Sequence, residues 1–319
     1  MKAAVHYEYG SPDVIQIREM EKPVPADNEV LVRVHAATVN RTDCAMLASD
    51  PWFMRFMTGL TKPNKIISGT DFAGVIEAAG KDVKLFKTGD KVFGFDDNGL
   101  SSHAEYMTIS QNNALALIPK DVSFEQAAAS IEGAHYAYNF LNKVNIKSGQ
   151  KVLINGASGA IGSAAVQLLK NSGAKITAVC KSKNAELITS LGAEKIIDYE
   201  KEDFTKTDEK FDFVFDTVGK STFGKCKPIL NKGGIYISSE LGPYAQNIFL
   251  SLFTPVWGDR KVKFPMPLNR LDSVLYIRKL LEEKKFSPVI DKKYALEKTA
   301  DAFRYVMTGE KTGNVVITI

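Results

Sequence analysis

The spacing of apolar residues changes character once along this chain. Up to about Pro119 it alternates at period two: "EVLVRVHAATV" (29–39), "FAGVIEAAG" (72–80), "DKVFGF" (90–95) and "HAEYMTI" (103–109) each read as a strand. Gly10, Pro23, Pro25, Gly80, Gly89 and Gly99 punctuate the intervals. The pattern predicts a small, strongly bent β-barrel. Beyond Pro119, "SFEQAAASIEGAHYAYNFLNKV" predicts one long helix with Ser123 as its N-cap. Strands "KVLING" (151–156), "KITAVC" (175–180), "KIIDY" (195–199), "FDFVFDTV" (211–218) and "GGIYISS" (233–239) then follow, with helices at 160–173 and 185–192 between the first of them. Apolar strands separated by helices imply a parallel sheet covered on both faces.

After Pro265 two helices are expected, at 269–284 and 296–308, and "GNVVITI" closes as a strand. That strand has no evident partner in the parallel sheet and is predicted to return to the β-domain. The expectation is therefore two domains, 1–122 with 266–319 and an inserted 123–265, which suits 319 residues better than a single core.

Composition removes several function classes. Hydrophobic residues make up 45% and charged residues 24%, ordinary values for a globular protein. The net charge of +4 comes without a basic run, so no nucleic-acid partner is expected. Neither a signal-peptide core nor an apolar stretch of membrane-spanning length is present, so no membrane association is expected. Cys44, Cys180 and Cys226 are odd in number and far apart, which suggests reduced thiols and a cytoplasmic setting.

The strongest chemical signal is "VLINGASGAIGSAAVQLLK". Gly156, Gly159 and Gly162 recur three apart between a strand and a helix. The turn Gly156, Ala157, Ser158, Gly159, Ala160, Ile161, Gly162 is a candidate cradle for a dinucleotide pyrophosphate resting on the helix N-terminus. After the next strand no carboxylate appears until Glu186; Lys181, Ser182 and Lys183 offer positive charge and a hydroxyl instead. That set suits the 2′-phosphate of NADPH more than the ribose diol of NAD, the alternative being lysines that only solvate a turn. Trp52, Phe53, Phe56 and Met57 in "DPWFMRFMTGL" are candidate walls for a flat apolar substrate, or a packing surface. "YAQNIFLSLFTPVW" (244–257) reads as a lid or a subunit contact. By residue type alone, Asp43 and Cys44 in "VNRTDC" suggest a metal site.

With these stretches in view, the chain resembles the medium-chain dehydrogenase/reductase superfamily, in its zinc-free quinone oxidoreductase branch. The resemblance is carried by "VLVRVHAATVNRTD", "SGTDFAGVIEAAGKDVKLFKTGDKVFG", "GASGAIGSAAVQLLK", "LGAEKIIDYEKEDF", "FDFVFDTVG" and "GEKTGNVVITI". It implies an α/β fold, a GroES-like bent barrel joined to a Rossmann doubly wound sheet, and a common tendency to form homodimers. The zinc branch carries Cys and then His-Glu as ligands; here Asn40 holds the first place, Thr70 and Asp71 the others, so no metal is expected. Cys44 is then a buried apolar thiol.

By the same resemblance Asn40 lines the nicotinamide pocket as the candidate catalytic residue, and Tyr199 joins Ser182 and Lys183 at the ribose phosphate. Val218 flanks the adenosine side, Ser238 and Ser239 end a strand facing the nicotinamide, and Gly313 and Asn314 form a turn beside it. Tyr136 stands where relatives carry a cofactor-contacting threonine, with His135 adjacent. The implied reaction is metal-free hydride transfer from NADPH to a quinone or an α,β-unsaturated carbonyl. The alternatives are a zinc-independent carbonyl or alcohol dehydrogenase, and a weakly catalytic NADPH-binding regulatory module.

Overall fold

The computed structural model describes residues 1–266 and 268–319, and contacts divide these into two units, Met1–Glu132 with Asn269–Ile319, and Gly133–Leu268. In the first unit come β1 (Lys2–Val5), β2 (Gln16–Glu19), β3 (Glu29–Val39), α1 (Arg41–Ala48), α2 (Arg55–Thr58), β4 (Asp71–Ala79), β5 (Lys91–Phe95), β6 (Tyr106–Ser110), β7 (Leu115–Leu117) and α3 (Phe124–Ala129). The second holds α4 (which starts at the boundary, Glu132–Asn142), β8 (Lys151–Asn155), α5 (Ala160–Asn171), β9 (Lys175–Cys180), α6 (Ala185–Leu191), β10 (Lys195–Asp198), β11 (Phe211–Asp216), α7 (Phe223–Cys226), β12 (Leu230–Ser238), α8 (Gln246–Trp257) and β13 (Lys261–Lys263). The chain then returns to the first unit with α9 (Arg270–Glu282), β14 (Ile290–Ala295), α10 (Thr299–Met307) and β15 (Asn314–Thr318).

The first unit is organised by β3. Its alternating apolar residues Val30, Val32 and Val34 pack with Phe72, Ile76, Val92, Met107 and Ile109 into one core. Neighbours in the sheet run β14-β15-β3-β4-β5-β7, with β6 also pairing with β3. Register shifts in the β3–β4 ladder, between Leu31 and Val32 and between Val34 and Ala36, are where a sheet bends hardest. The closing strand does return to this unit: Val315 pairs with Val39 and Ile317 with Ala37, antiparallel. Thus β15 supplies Val315 and Ile317 to a second core with Leu47, Phe303 and Val306.

The second unit is a parallel sheet ordered β10-β9-β8-β11-β12-β13. Numbered from its own first strand that order is 3-2-1-4-5-6, the doubly wound arrangement that opens a crevice between β8 and β11 at the strands' carboxyl ends. Leu153, Val179, Val214 and Tyr236 fill its core from successive strands, which explains their unbroken apolar runs.

Some elements depart from the sequence reading. The long helix expected after Ser123 is two, α3 and α4, because the Ser130 N–H and hydroxyl both turn back to the Ala127 carbonyl. α3 packs on β3 and β4, and the unit boundary accordingly falls after Glu132. The strand expected at 103–109 starts only at Tyr106; ahead of it, Ala104 makes a single bridge to Ala3 and His103 turns inward. "RTDCAMLA" forms helix α1, with Asn40 as its N-cap.

Candidate functional site

Two places concentrate chemistry, one in each unit. In the second unit, β8 ends at Asn155 and the chain turns through Gly156, whose φ of +80° favours glycine. A Cβ on Gly156 would also sit 2.3 Å from the Val218 Cγ1, so Val218 packs against the turn from β11's side. A Cβ on Gly162 would lie 2.2 Å from the Gly156 carbonyl oxygen; the helix can approach the strand only without one. Gly159 is the N-cap of α5 and offers no side chain to its first N–H groups. Those donors, left by the sequence without a cap, suit a phosphate. Next to the turn, Asp216 is buried and ties three strands together. It accepts from Asn155 Nδ2 at 3.0 Å, Tyr236 Oη at 3.1 Å and Ser221 N at 2.9 Å. It stands in register with Ser238, and its carbonyl accepts from Ser239 N at 3.0 Å. Sequence reading passed over Asp216, whose only signal was a carboxylate at the end of an apolar strand.

The expected 2′-phosphate residues lie after β9. Ser182 is not free: its N–H donates to Asp198 Oδ2 at 3.2 Å and its hydroxyl to the same oxygen. Lys201 Nζ donates to Ser182 Oγ at 2.9 Å, and Lys181 pairs with Glu200 at 3.1 Å. The hydrogen bond from Ser182 holds the Asp198 carboxyl below its ordinary pKa. Lys183 and Tyr199 are exposed nearby in sequence. The group is therefore more mixed in charge than the sequence suggested, with Lys201 a cation the reading missed.

In the first unit Asn40 is the N-cap of α1, and Asp43, three residues on, reaches back to its N–H at 2.8 Å. Asn40 is buried with Thr38, Asp43, Thr70, Asp71 and Glu132. Asp71 accepts from Thr38 N at 2.7 Å, from the Thr38 hydroxyl and from Asn40 Nδ2 at 3.1 Å. The Asn40 amide also donates to Thr38 Oγ1. Glu132 accepts from Thr42 Oγ1 at 2.6 Å and Thr70 Oγ1 at 2.7 Å. Asp43 Oδ1 is buried with no hydrogen-bond partner. Burial raises all three carboxyls, Asp43 well above its ordinary value, Glu132 upward, and Asp71 to about 7, where the charge of Glu132 adds to the effect.

The hydrogen bonds that the Asn40 amide makes to Thr38 and Asp71 lie within the cluster. The carboxylates are likewise held by hydroxyls and N–H groups, and among the described residues no group of three or more His, Cys, Asp and Glu is disposed to hold a metal. Cys44 is buried, and burial pushes its thiol up to about 12, as befits an inert core thiol. Trp52, Phe53 and Phe56 are exposed, Trp52 meeting Phe56 edge-on at 5.8 Å. In the second unit His135 is fully buried and packs against the Tyr136 ring at 5.5 Å.

Known proteins resemble both units. Residues 26–121 match the family model of an alcohol dehydrogenase GroES-like domain, and residues 191–317 that of a zinc-binding dehydrogenase. A 2-methylene-furan-3-one reductase of Solanum lycopersicum is 32% identical over 99% of this chain and 79% of its own. An NADPH-dependent alkenal/one oxidoreductase of Arabidopsis thaliana, chloroplastic, is 28% identical over 99% of this chain and 79% of its own. Among solved structures, the quinone oxidoreductase from Coxiella burnetii superposes with a TM-score of 0.89, at 26% identity, covering 100% of this chain and 99% of that one.

Proposed function

Because the chain belongs to the medium-chain dehydrogenase/reductase family, in its quinone oxidoreductase branch, we propose that it is an NADPH-dependent reductase of quinones and α,β-unsaturated carbonyls that works without a metal. The observation that carries the reading is the occupation of the family's ligand places. Asn40 and Thr70 replace the metal-binding side chains, Asn40 hydrogen-bonded to Thr38 and Asp71 and Thr70 to Glu132. Acceptors that take hydride without a Lewis acid follow from that chemistry.

The turn 156–162 and the uncapped start of α5 hold the pyrophosphate; Lys183 and Lys201 attract the 2′-phosphate, with Ser182 and Tyr199 beside it. Ser238 and Ser239 on the β12 end border the nicotinamide. When bound, the reduced cofactor supplies a hydride to a quinone or to the β-carbon of an enone. Asn40 is a positioning residue that keeps Thr38 and Asp71 in place. Trp52, Phe53 and Phe56 offer an exposed apolar wall to a flat substrate.

The Arabidopsis relative's name supports NADPH, and the exposed Lys183, with Lys201 beside Ser182, supports it too. Three free, buried cysteines fit a reducing, cytosol-like compartment. No helix among the described residues is long and apolar enough to cross a membrane. α8 turns its apolar residues outward, Leu252 at 66% and Trp257 at 79% exposure, which suits a homodimer contact. The test is a panel of quinones, enones, saturated aldehydes and secondary alcohols with NADPH and NADH, with and without a chelator. Turnover of quinones or enones, preferring NADPH and indifferent to chelator, is expected. Turnover confined to aldehydes and alcohols moves the assignment to a carbonyl or alcohol dehydrogenase.

A further inference from the structure

No carboxylate follows β9 in sequence until Glu186, yet the sheet puts one beside that strand's end. β10 runs parallel to β9 with Asp198 in register with Cys180, the last residue of β9. The neighbouring strand thus delivers an acidic side chain to the place where a doubly wound fold selects the ribose of its dinucleotide. Asp198 is tied to the turn that follows β9. Ser182 N donates to Asp198 Oδ2 at 3.2 Å, and the Ser182 hydroxyl donates to the same oxygen. Glu200 N donates to Oδ1 at 3.0 Å, and Lys201 Nζ stands 3.5 Å from Oδ2. A carboxylate accepts about four hydrogen bonds, so capacity remains on Asp198 beside these donors.

We propose that Asp198 sets the ratio of NADPH to NADH at this site: it withholds the Ser182 hydroxyl, opposes the 2′-phosphate, and accepts the 2′-hydroxyl of NADH instead. This rests on the reading of the β9 end as the 2′-phosphate site. Asp198 is a specificity-determining residue and takes no part in hydride transfer.

The charges at the β9 end suit the assignment. The Ser182 hydroxyl foremost, then Glu200 N, hold Asp198 below the ordinary carboxylate range, so it is ionised near neutral pH. Its side chain is 11% exposed against 72% for Lys201, so its charge is the less screened of the two. A phosphate monoester carries about −1.5 to −2 at neutral pH and is repelled by such a group. A ribose hydroxyl is neutral and a donor, and the same carboxylate attracts it. Lys181 is paired with Glu200 at 3.1 Å and adds little net charge. Lys183 and Lys201 therefore keep NADPH ahead, and Asp198 limits the lead.

The experiment titrates the full chain with NADPH and with NADH, read by fluorescence. Wild type is compared with Asp198→Asn, Asp198→Ser, Asp198→Glu and Ser182→Ala, and with the exposed Glu194→Gln, at the other end of β10, as a charge control. Asp198→Asn is expected to tighten NADPH about tenfold, the effect of one charge beside a phosphate at a protein surface. NADH should weaken about threefold, as a charge-assisted hydrogen bond becomes a neutral one. Asp198→Ser should move both cofactors in the same directions, and Asp198→Glu, which keeps the charge, should stay near wild type. Ser182→Ala should cost NADPH little while Asp198 holds the hydroxyl, and about threefold in the Asp198→Asn background. A carboxylate that only shapes the turn gives no such coupling. A ratio of NADPH to NADH unchanged in both Asp198→Asn and Asp198→Ser overturns the inference, as does an equal loss of both cofactors. An equal shift in Glu194→Gln overturns it too, since net charge would then account for the effect. A wild type that prefers NADH overturns the NADPH reading, and this inference stands if Asp198→Asn reverses that preference. A wild type that binds neither overturns the reading of the site itself.

Discussion

The glycine turn of the second unit and the polar cluster of the first place charge by opposite means. At the turn, side chains are removed: Gly156, Gly159 and Gly162 leave bare backbone, and the start of α5 has no capping side chain. In the cluster, side chains are crowded together: Thr38, Asn40, Asp43, Thr70, Asp71 and Glu132 are all buried and hydrogen-bonded. The first design is intolerant of added atoms. The second is intolerant of lost partners.

Adding one carbon should do the greatest harm. Gly162→Ala puts a methyl 2.2 Å from the Gly156 carbonyl and 2.7 Å from the Ala157 Cα, both backbone, which cannot step aside. A loss of about 3 kcal/mol in unfolding and abolition of NADPH binding are expected, read by urea denaturation and fluorescence titration. Normal binding in this variant would mean that the helix and strand have room the structure does not show.

Deleting an acceptor should come next. Asp71→Ala strands Thr38 N, the Thr38 hydroxyl and Asn40 Nδ2 in the interior, for about 2 kcal/mol of stability. Asp71→Asn, which keeps the shape, should recover much of that loss in the same urea titration.

A smaller effect is the pH response. Asp71 is raised to about 7 from 3.8, so within that window the folded state holds the extra proton and stability falls as pH rises. Wild type should therefore gain on Asp71→Asn as pH drops from 7 towards 3.8, by on the order of 2 kcal/mol. His103, fully buried with Nε2 against the Thr38 carbonyl at 2.9 Å, pulls the other way. Burial lowers it to about 4 from 6.5, so its contribution is lost as pH falls through that range. Equal pH slopes in wild type and Asp71→Asn would remove Asp71 from the account. Smallest of all, Lys201→Ala should raise the KM for NADPH about threefold and leave that for NADH unchanged, the modest share of an exposed cation.

The same contrast decides what could be read from the sequence. The glycine turn is local: three residues and the strand and helix on either side define it, so period and punctuation reveal it. The parallel sheet of the second unit follows from its alternation of elements in the same way. The cluster is assembled from Thr38 and Asn40 on β3 and its end, Thr70 and Asp71 at the start of β4, and Glu132 at the head of α4. Nothing in one segment announces the others, and Asn40 and Thr70 drew notice only as substitutes for metal ligands. Glu132 looked like the interior of a long helix. β14 escaped because, beside β15 at the edge of its sheet, it exposes Lys292 and Lys293 and shows no apolar alternation.

The return of β15 to β3 also sets an order of events. A ribosome delivers β3 early, yet the Val39 and Thr38 backbone meets its partner strand only after the whole inserted unit has been made. Gly133–Leu268 can thus complete its parallel sheet while the barrel still has an open edge. Newly made chains therefore pass through an interval in which a finished Rossmann sheet sits within an unfinished host. During that interval β3 offers unpaired N–H and C=O groups to any other strand nearby, and chaperone demand should be greatest then.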